Sequence, residues 1–111
     1  MNKKERRALS PLTAFLYGND GPIWYRGLVR TDAKYHPMAQ DSLQMLMERY
    51  KAKHIIVGHT IFKDISTFYD GKVIGVNVDN KENKKKKRGR ALLIDKDTYF
   101  VVGDKGVLRK L

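Results

Sequence analysis

The stretch KHIIVGHTIF, residues 53–62, decides how the chain is read. Ile55, Ile56 and Val57 form a short apolar run that stops at Gly58-His59-Thr60. A run with apolar residues on both faces is expected of a strand buried inside a covered sheet. The Gly58-His59-Thr60 segment at its end has two readings. Either the strand simply turns, or His59 is delivered to a metal or phosphate site and Gly58 clears room for it. Upstream, Pro37 marks the start of a helix reaching about Tyr50. Along it Ala39, Leu43, Leu46, Met47 and Tyr50 recur at three- and four-residue steps and form one apolar stripe. Helix, short loop, buried strand and a Gly-His loop make an α/β arrangement, and in such sheets ligands gather at the carboxyl ends of strands.

Moving outward, Ser10-Pro11 opens an earlier helix that Gly18 would close through a left-handed cap, with Leu12, Phe15 and Leu16 on its buried face. Residues 1–9 are read as a basic arm or a basic extension of that helix. Asn19-Asp20-Gly21-Pro22 is dense turn chemistry. The second half changes character. Residues 65–68, 73–78, 91–94, 99–102 and 107–111 read as short strands, separated by turns at Asp70-Gly71, Asp95-Lys96-Asp97 and Gly103-Asp104-Lys105-Gly106. The expected class is α/β: an α/β first half followed by antiparallel strands, in a single domain spanning residues 1–111.

Composition narrows the function classes. The chain has 111 residues and a net charge of +11, which suggests an anionic partner. Residues 81–90, KENKKKKRGR, hold seven of the basic side chains against one acidic. The excess is therefore largely local, and residues 80–90 are expected to form an exposed basic loop between two strands. Cysteine is absent, which excludes disulfides and thiolate metal sites and fits a reducing compartment. No run approaches the ~20 apolar residues of a membrane helix. The charged opening MNKKERRALS is no secretory signal. A cytoplasmic protein that contacts no membrane is expected.

Two motifs could carry chemistry. A neutral imidazole at His59, at the end of a strand, can point at a bound metal, with Thr60 or nearby amides orienting its other nitrogen. The bland reading makes His59 structural. In Trp24-Tyr25-Arg26-Gly27, the planar fork of Arg26 matches phosphate oxygens, and Gly27 would let a ligand approach the backbone. The bland alternative puts Trp24 and Tyr25 in the core and pairs Arg26 with a carboxylate. His36 and His54 lack ligand-like spacing to His59.

Taken together, residues 21–27 (GPIWYRG), 55–60 (IIVGHT) and 69–74 (YDGKVI) resemble the carboxyl-terminal half of the calcineurin-like metallophosphoesterases. The likeness is to the bacterial branch near the serine/threonine protein phosphatases and diadenosine tetraphosphate hydrolases. It covers roughly residues 18–111. It implies half of a β-sandwich flanked by helices, His59 as a metal ligand, Arg26 as the phosphate clamp, and divalent ions (manganese, iron or zinc) in a two-metal phosphatase. Departures accompany the likeness. The family's Gly-Asp-x-His-Gly, Gly-Asp-x-x-Asp-Arg-Gly and Gly-Asn-His-Glu segments are missing, Gly103-Asp104-Lys105-Gly106 lacks the histidine, and Asn77 stands where an aspartate is common.

One histidine cannot hold two divalent ions. The expectation is therefore a carboxyl-terminal fragment of a metal-dependent phosphatase that hydrolyses phosphate esters in its complete form. Its partners would be the missing amino-terminal half and a phosphorylated substrate, and the chain alone would be inactive. The rival is a small basic nucleic-acid-binding module using residues 84–90 on phosphate backbones. That run contains no aromatic residue to stack on bases, so nucleic acid is the weaker reading.

Overall fold

The computed structural model describes residues 3–111, with the side chains of residues 6 and 7 left aside. Met1 and Asn2 of the basic arm lie outside the described residues. The chain divides into two compact units, one ending at Ala39 and the other spanning Gln40–Leu111.

In the first unit α1 covers Lys3–Arg7 and α2 covers Pro11–Tyr17. The Ser10 hydroxyl accepts from the Thr13 amide and Pro11 takes the first turn, as their chemistry requires. Gly18 does not close the helix in a left-handed conformation; its φ is −79° and its ψ 169°, ordinary extended backbone. Nor is there a buried Leu12–Phe15 face, because both side chains are more than half exposed. A single 3-10 turn at Ala33–Tyr35 comes after the long loop, and His36 closes it at φ 44°. The His36 ring hydrogen-bonds the Asp20 carboxylate through Nδ1.

The second unit opens with α3, Gln40–Arg49. Leu43 and Met47 are its buried residues, one turn apart. Tyr50 is exposed, so the apolar stripe is narrower than the sequence spacing implied. Strands β1 (Ile55–Val57), β2 (Ser66–Phe68) and β3 (Val73–Gly75) form a mixed sheet in the order β1-β3-β2. Here β3 is central, parallel to β1 and antiparallel to β2, and every residue of β3 is buried. β1 is an edge strand and Ile56 is 43% exposed, which corrects the expectation that this run is covered on both faces.

Next come α4, Asn80–Lys85, and an antiparallel meander of β4 (Ala91–Asp95), β5 (Thr98–Val102) and β6 (Leu108–Lys110). Ile65, Ile74, Val78 and Val101 form a core cluster, with Val76, Leu92 and Tyr99 packed against it. The cluster joins the mixed sheet to the meander, and burying each such aliphatic side chain stabilises by about 1.5–3 kcal/mol. Helices, a mixed sheet and then antiparallel strands give the α/β class expected from the sequence.

Residues 80–85 of the basic run are helical. The Asp79 carboxylate caps α4 by accepting from the Glu82 amide at 3.0 Å, and Glu82 sits in the first turn, where the helix dipole favours it.

Candidate functional site

The Trp24–Gly27 segment is neither helix nor strand, and its shape is set by close contacts. The Tyr25 hydroxyl donates to the His36 carbonyl at 2.9 Å, and the Met38 amide donates to the Gly27 carbonyl at 3.1 Å. A Cβ at Gly27 would stand 2.1 Å from the Tyr25 hydroxyl oxygen and 2.6 Å from the His36 carbonyl oxygen. Glycine is required at 27 because the protein itself fills that space. The room expected there for a ligand is taken by Tyr25 and the His36 carbonyl.

This knot fixes the residue before it. Arg26 Nη1 donates to the Trp24 carbonyl at 3.1 Å, and the guanidinium lies over the Trp24 ring, 5.1 Å from its centre. A guanidinium over an indole face gains cation–π attraction. Only one of its five N–H groups is used by the Trp24 carbonyl, so the planar fork keeps donors for an oxyanion. Among the described residues no carboxylate forms an ion pair with Arg26 within 4.0 Å. The bland carboxylate-pairing reading is therefore not the arrangement observed.

His59 lies in the second unit, in the loop that follows β1. Parallel pairing runs Ile55 to Val73 through Val57 to Gly75, and an isolated parallel bridge links Phe62 to Val78 beyond the loop. Residues 58–61 form the segment between the strand and that bridge. The Thr60 amide donates to the Gly58 carbonyl at 2.9 Å across His59, whose φ is 70°. This hydrogen bond spanning two residues, with positive φ at its centre, matches the rare and strained form of the γ-turn. The strain falls on His59 itself. Nothing lies within 4 Å of a Cβ added at Gly58, so Gly58 clears no crowded space. The His59 side chain is exposed and Thr60 is buried.

The other histidines have structural settings. His54 Nδ1 meets the Gly71 carbonyl at 3.0 Å, and its ring packs against Tyr99 at 4.2 Å. His36 is paired with Asp20.

Solved phosphatase structures match this chain. A point mutant of a cold-active protein tyrosine phosphatase and a second structure of the cold-active enzyme each superpose at TM-score 0.68 with 27% identity. The cold-active protein-tyrosine phosphatase of a psychrophile, Shewanella sp., superposes at 0.62 with 28% identity. Each likeness covers 99% of this chain and 30% of the solved chain. The chain thus spans about 30% of the length of the structures it matches. No protein-family description and no curated protein sequence matches it.

These neighbours correct the sequence resemblance. They are protein tyrosine phosphatases by name, and the calcineurin-like metallophosphoesterase assignment gives way to them. The metal reading goes with it. Among the described residues no group of three or more His, Cys, Asp or Glu side chains is placed to hold a metal ion, so His59 stands without the co-ligands that a manganese, iron or zinc site requires. The phosphatase-like α/β fold stands. Among the described residues no helix is long and apolar enough to cross a membrane.

Two features escape a reading of the sequence. The γ-turn at His59 has no compositional signature. The Asp79-Asn80-Lys81-Glu82 start of α4 does have one, an acidic cap with glutamate three residues later, and the lysines after it mask the signal.

Proposed function

We propose that this chain supplies the phosphate-binding part of a phosphatase acting on phosphate monoesters, with Arg26 as the clamp. The observation that carries the reading is the Arg26 arrangement. Its guanidinium is held by the Trp24 carbonyl and ring while most of its donors remain for an oxyanion. The likeness to phosphatases along nearly the whole chain supports it. The name of those neighbours suggests the substrate class, a tyrosyl phosphate. Trp24, 40% exposed, places an aromatic side chain beside Arg26, in keeping with a substrate that carries an aromatic ring.

In this reading Arg26 binds the dianion already present in the bound ester and continues to hold the equatorial oxygens as charge moves toward the leaving phenolate. Hydrolysis adds a water oxygen to phosphorus, breaks the phosphorus–phenolic oxygen bond and returns one proton to the phenolate. The chain has no cysteine, so a thiolate nucleophile is not its contribution. That composition also fits a reducing, cytoplasmic setting.

The test uses Trp24, the single tryptophan, as reporter. O-phospho-L-tyrosine should change its fluorescence saturably as the guanidinium turns toward the phosphate. Arg26→Ala should abolish the change and Arg26→Lys should restore part of it, because an ammonium cannot make the two-pronged contact. An identical titration with Arg26→Ala would remove Arg26 from the site.

A further inference from the structure

The second unit holds a basic cavity that the Arg26 reading does not use. It has a volume of about 380 Å³ and is lined in part by Lys87, Arg88, Arg90, Asp104 and Arg109. These residues come from the end of the basic run, the β5–β6 connection and β6. The fold therefore gathers in space charges that are separate in sequence.

The arginines are held in place. Asp64 takes Arg90 Nε at 3.4 Å on one oxygen and Arg109 Nη2 at 3.1 Å on the other, which sets two guanidinium groups side by side. Arg88 is tied to α4 twice, its amide donating to the Asn83 carbonyl at 2.8 Å and its Nε to Asn83 Oδ1 at 3.1 Å. Asn83 is 1% exposed, and its Nδ2 has no hydrogen-bond partner among the described residues. A buried amide left half satisfied is destabilising. The side-chain oxygen of Asn83 nevertheless holds Arg88 Nε in place.

Four cations face two carboxylates here, Asp104 and Asp64, so two positive charges are left over. Asp104 is itself occupied, accepting from the Gly89 amide at 2.8 Å.

We propose that this cavity binds a compact, multiply charged phosphate, the diphosphate group. Three guanidinium groups and a lysine around a cavity of about 380 Å³ supply the charge and the room for two linked phosphates. No aromatic ring is among the described residues lining the cavity, so a nucleobase finds no stacking platform there. The α4 lysines do not extend the site into a track for a nucleic-acid backbone. Lys85, in the last turn of α4, and Lys86, which follows it, pair with Glu82, and neither they nor Lys84 line the cavity.

Calorimetric titration of the chain with inorganic pyrophosphate at low salt tests this. Arg109→Gln, whose side chain is 57% exposed, and Arg88→Gln should each weaken binding by roughly tenfold, and Lys87→Gln by less. Should Arg88→Gln fail to fold through loss of its Asn83 bond, Arg109→Gln and Lys87→Gln still decide. The loss caused by Arg109→Gln should be the same size in an Arg26→Ala background, which separates this site from the one proposed above. ADP should bind no more tightly than pyrophosphate. The proposal is overturned by any of three results: no heat at millimolar pyrophosphate, an equal loss in the Lys84→Gln/Lys85→Gln variant, or tighter binding of a short single-stranded RNA that tracks those two lysines.

Discussion

Replacing Gly27 by alanine tests whether the loop that presents Arg26 is built as described. The added Cβ would stand 2.1 Å from the Tyr25 hydroxyl oxygen, 2.3 Å from its Cζ and 2.6 Å from the His36 carbonyl oxygen. Carbon contacts relax only near ~3.5–4.0 Å, so both neighbours must yield. The Tyr25 ring can swing away, but this breaks its 2.9 Å bond to the His36 carbonyl, a loss of about 0.5–1.5 kcal/mol. The carbonyl belongs to the backbone and must move bodily, an overpacking cost of about 1–3 kcal/mol. The sum, about 1.5–4.5 kcal/mol, should appear in urea denaturation monitored by Trp24 fluorescence, as a lower midpoint at unchanged slope. In a Tyr25→Ala background the ring clash is gone and only the carbonyl term remains, so the cost of Gly27→Ala should shrink to about 1–3 kcal/mol. A Gly27→Ala midpoint equal to that of the parent would falsify this picture of the loop.

In the second unit, Gly58→Ala should be neutral or stabilising by about 0.4–1 kcal/mol in chemical denaturation, because its Cβ enters open space and the unfolded chain loses freedom. His59→Gly relieves a positive-φ cost of roughly 1–2 kcal/mol and adds about 0.5–1 kcal/mol of glycine entropy, so its midpoint should not fall; a clear fall would show that the His59 side chain anchors the loop. The exposed Lys53–Asp97 pair, at 2.7 Å, lowers the Asp97 carboxyl below its usual range, chiefly through the hydrogen bond from Lys53. Its stabilisation is present above the unfolded-state value and is lost as pH falls through the lowered folded value. In acid titration of stability, Asp97→Asn should therefore differ from the parent above that window, converge below it, and differ less at high salt. The chain alone should not turn over p-nitrophenyl phosphate, with or without added divalent ions, since a single clamp arginine supplies neither nucleophile nor proton donor; turnover that survives purification and vanishes with Arg26→Ala would contradict this.

How far the sequence can be read depends on whether a feature is local. Ser10-Pro11 and the three- and four-residue spacing of Leu43 and Met47 announce α2 and α3 because capping and periodicity act within one or two turns. The strand connections are legible from their turns, where Asp70, Lys96 and Lys105 adopt positive φ. Burial is less legible. Ile56 looks identical to Ile74 in sequence, yet one sits on an edge strand and the other at the sheet centre, a difference set by long-range strand order. Gly27 and Gly58 show the same limit. Both stand beside a candidate site residue, but only Gly27 is sterically required, because the fold brings the His36 carbonyl against it and leaves the space beside Gly58 open. Arg26 is picked out in sequence by residue type alone. Its seat on Trp24 depends on the fold of the whole loop.

The most direct test of Arg26 as the phosphate clamp is an arginine side-chain Nε–Hε NMR spectrum of the chain titrated with O-phospho-L-tyrosine. The Arg26 signal, assigned by its loss in Arg26→Lys, should move saturably together with the Trp24 indole signal. An Arg26 signal that stays fixed, while those of Arg88, Arg90 or Arg109 move, would contradict that role.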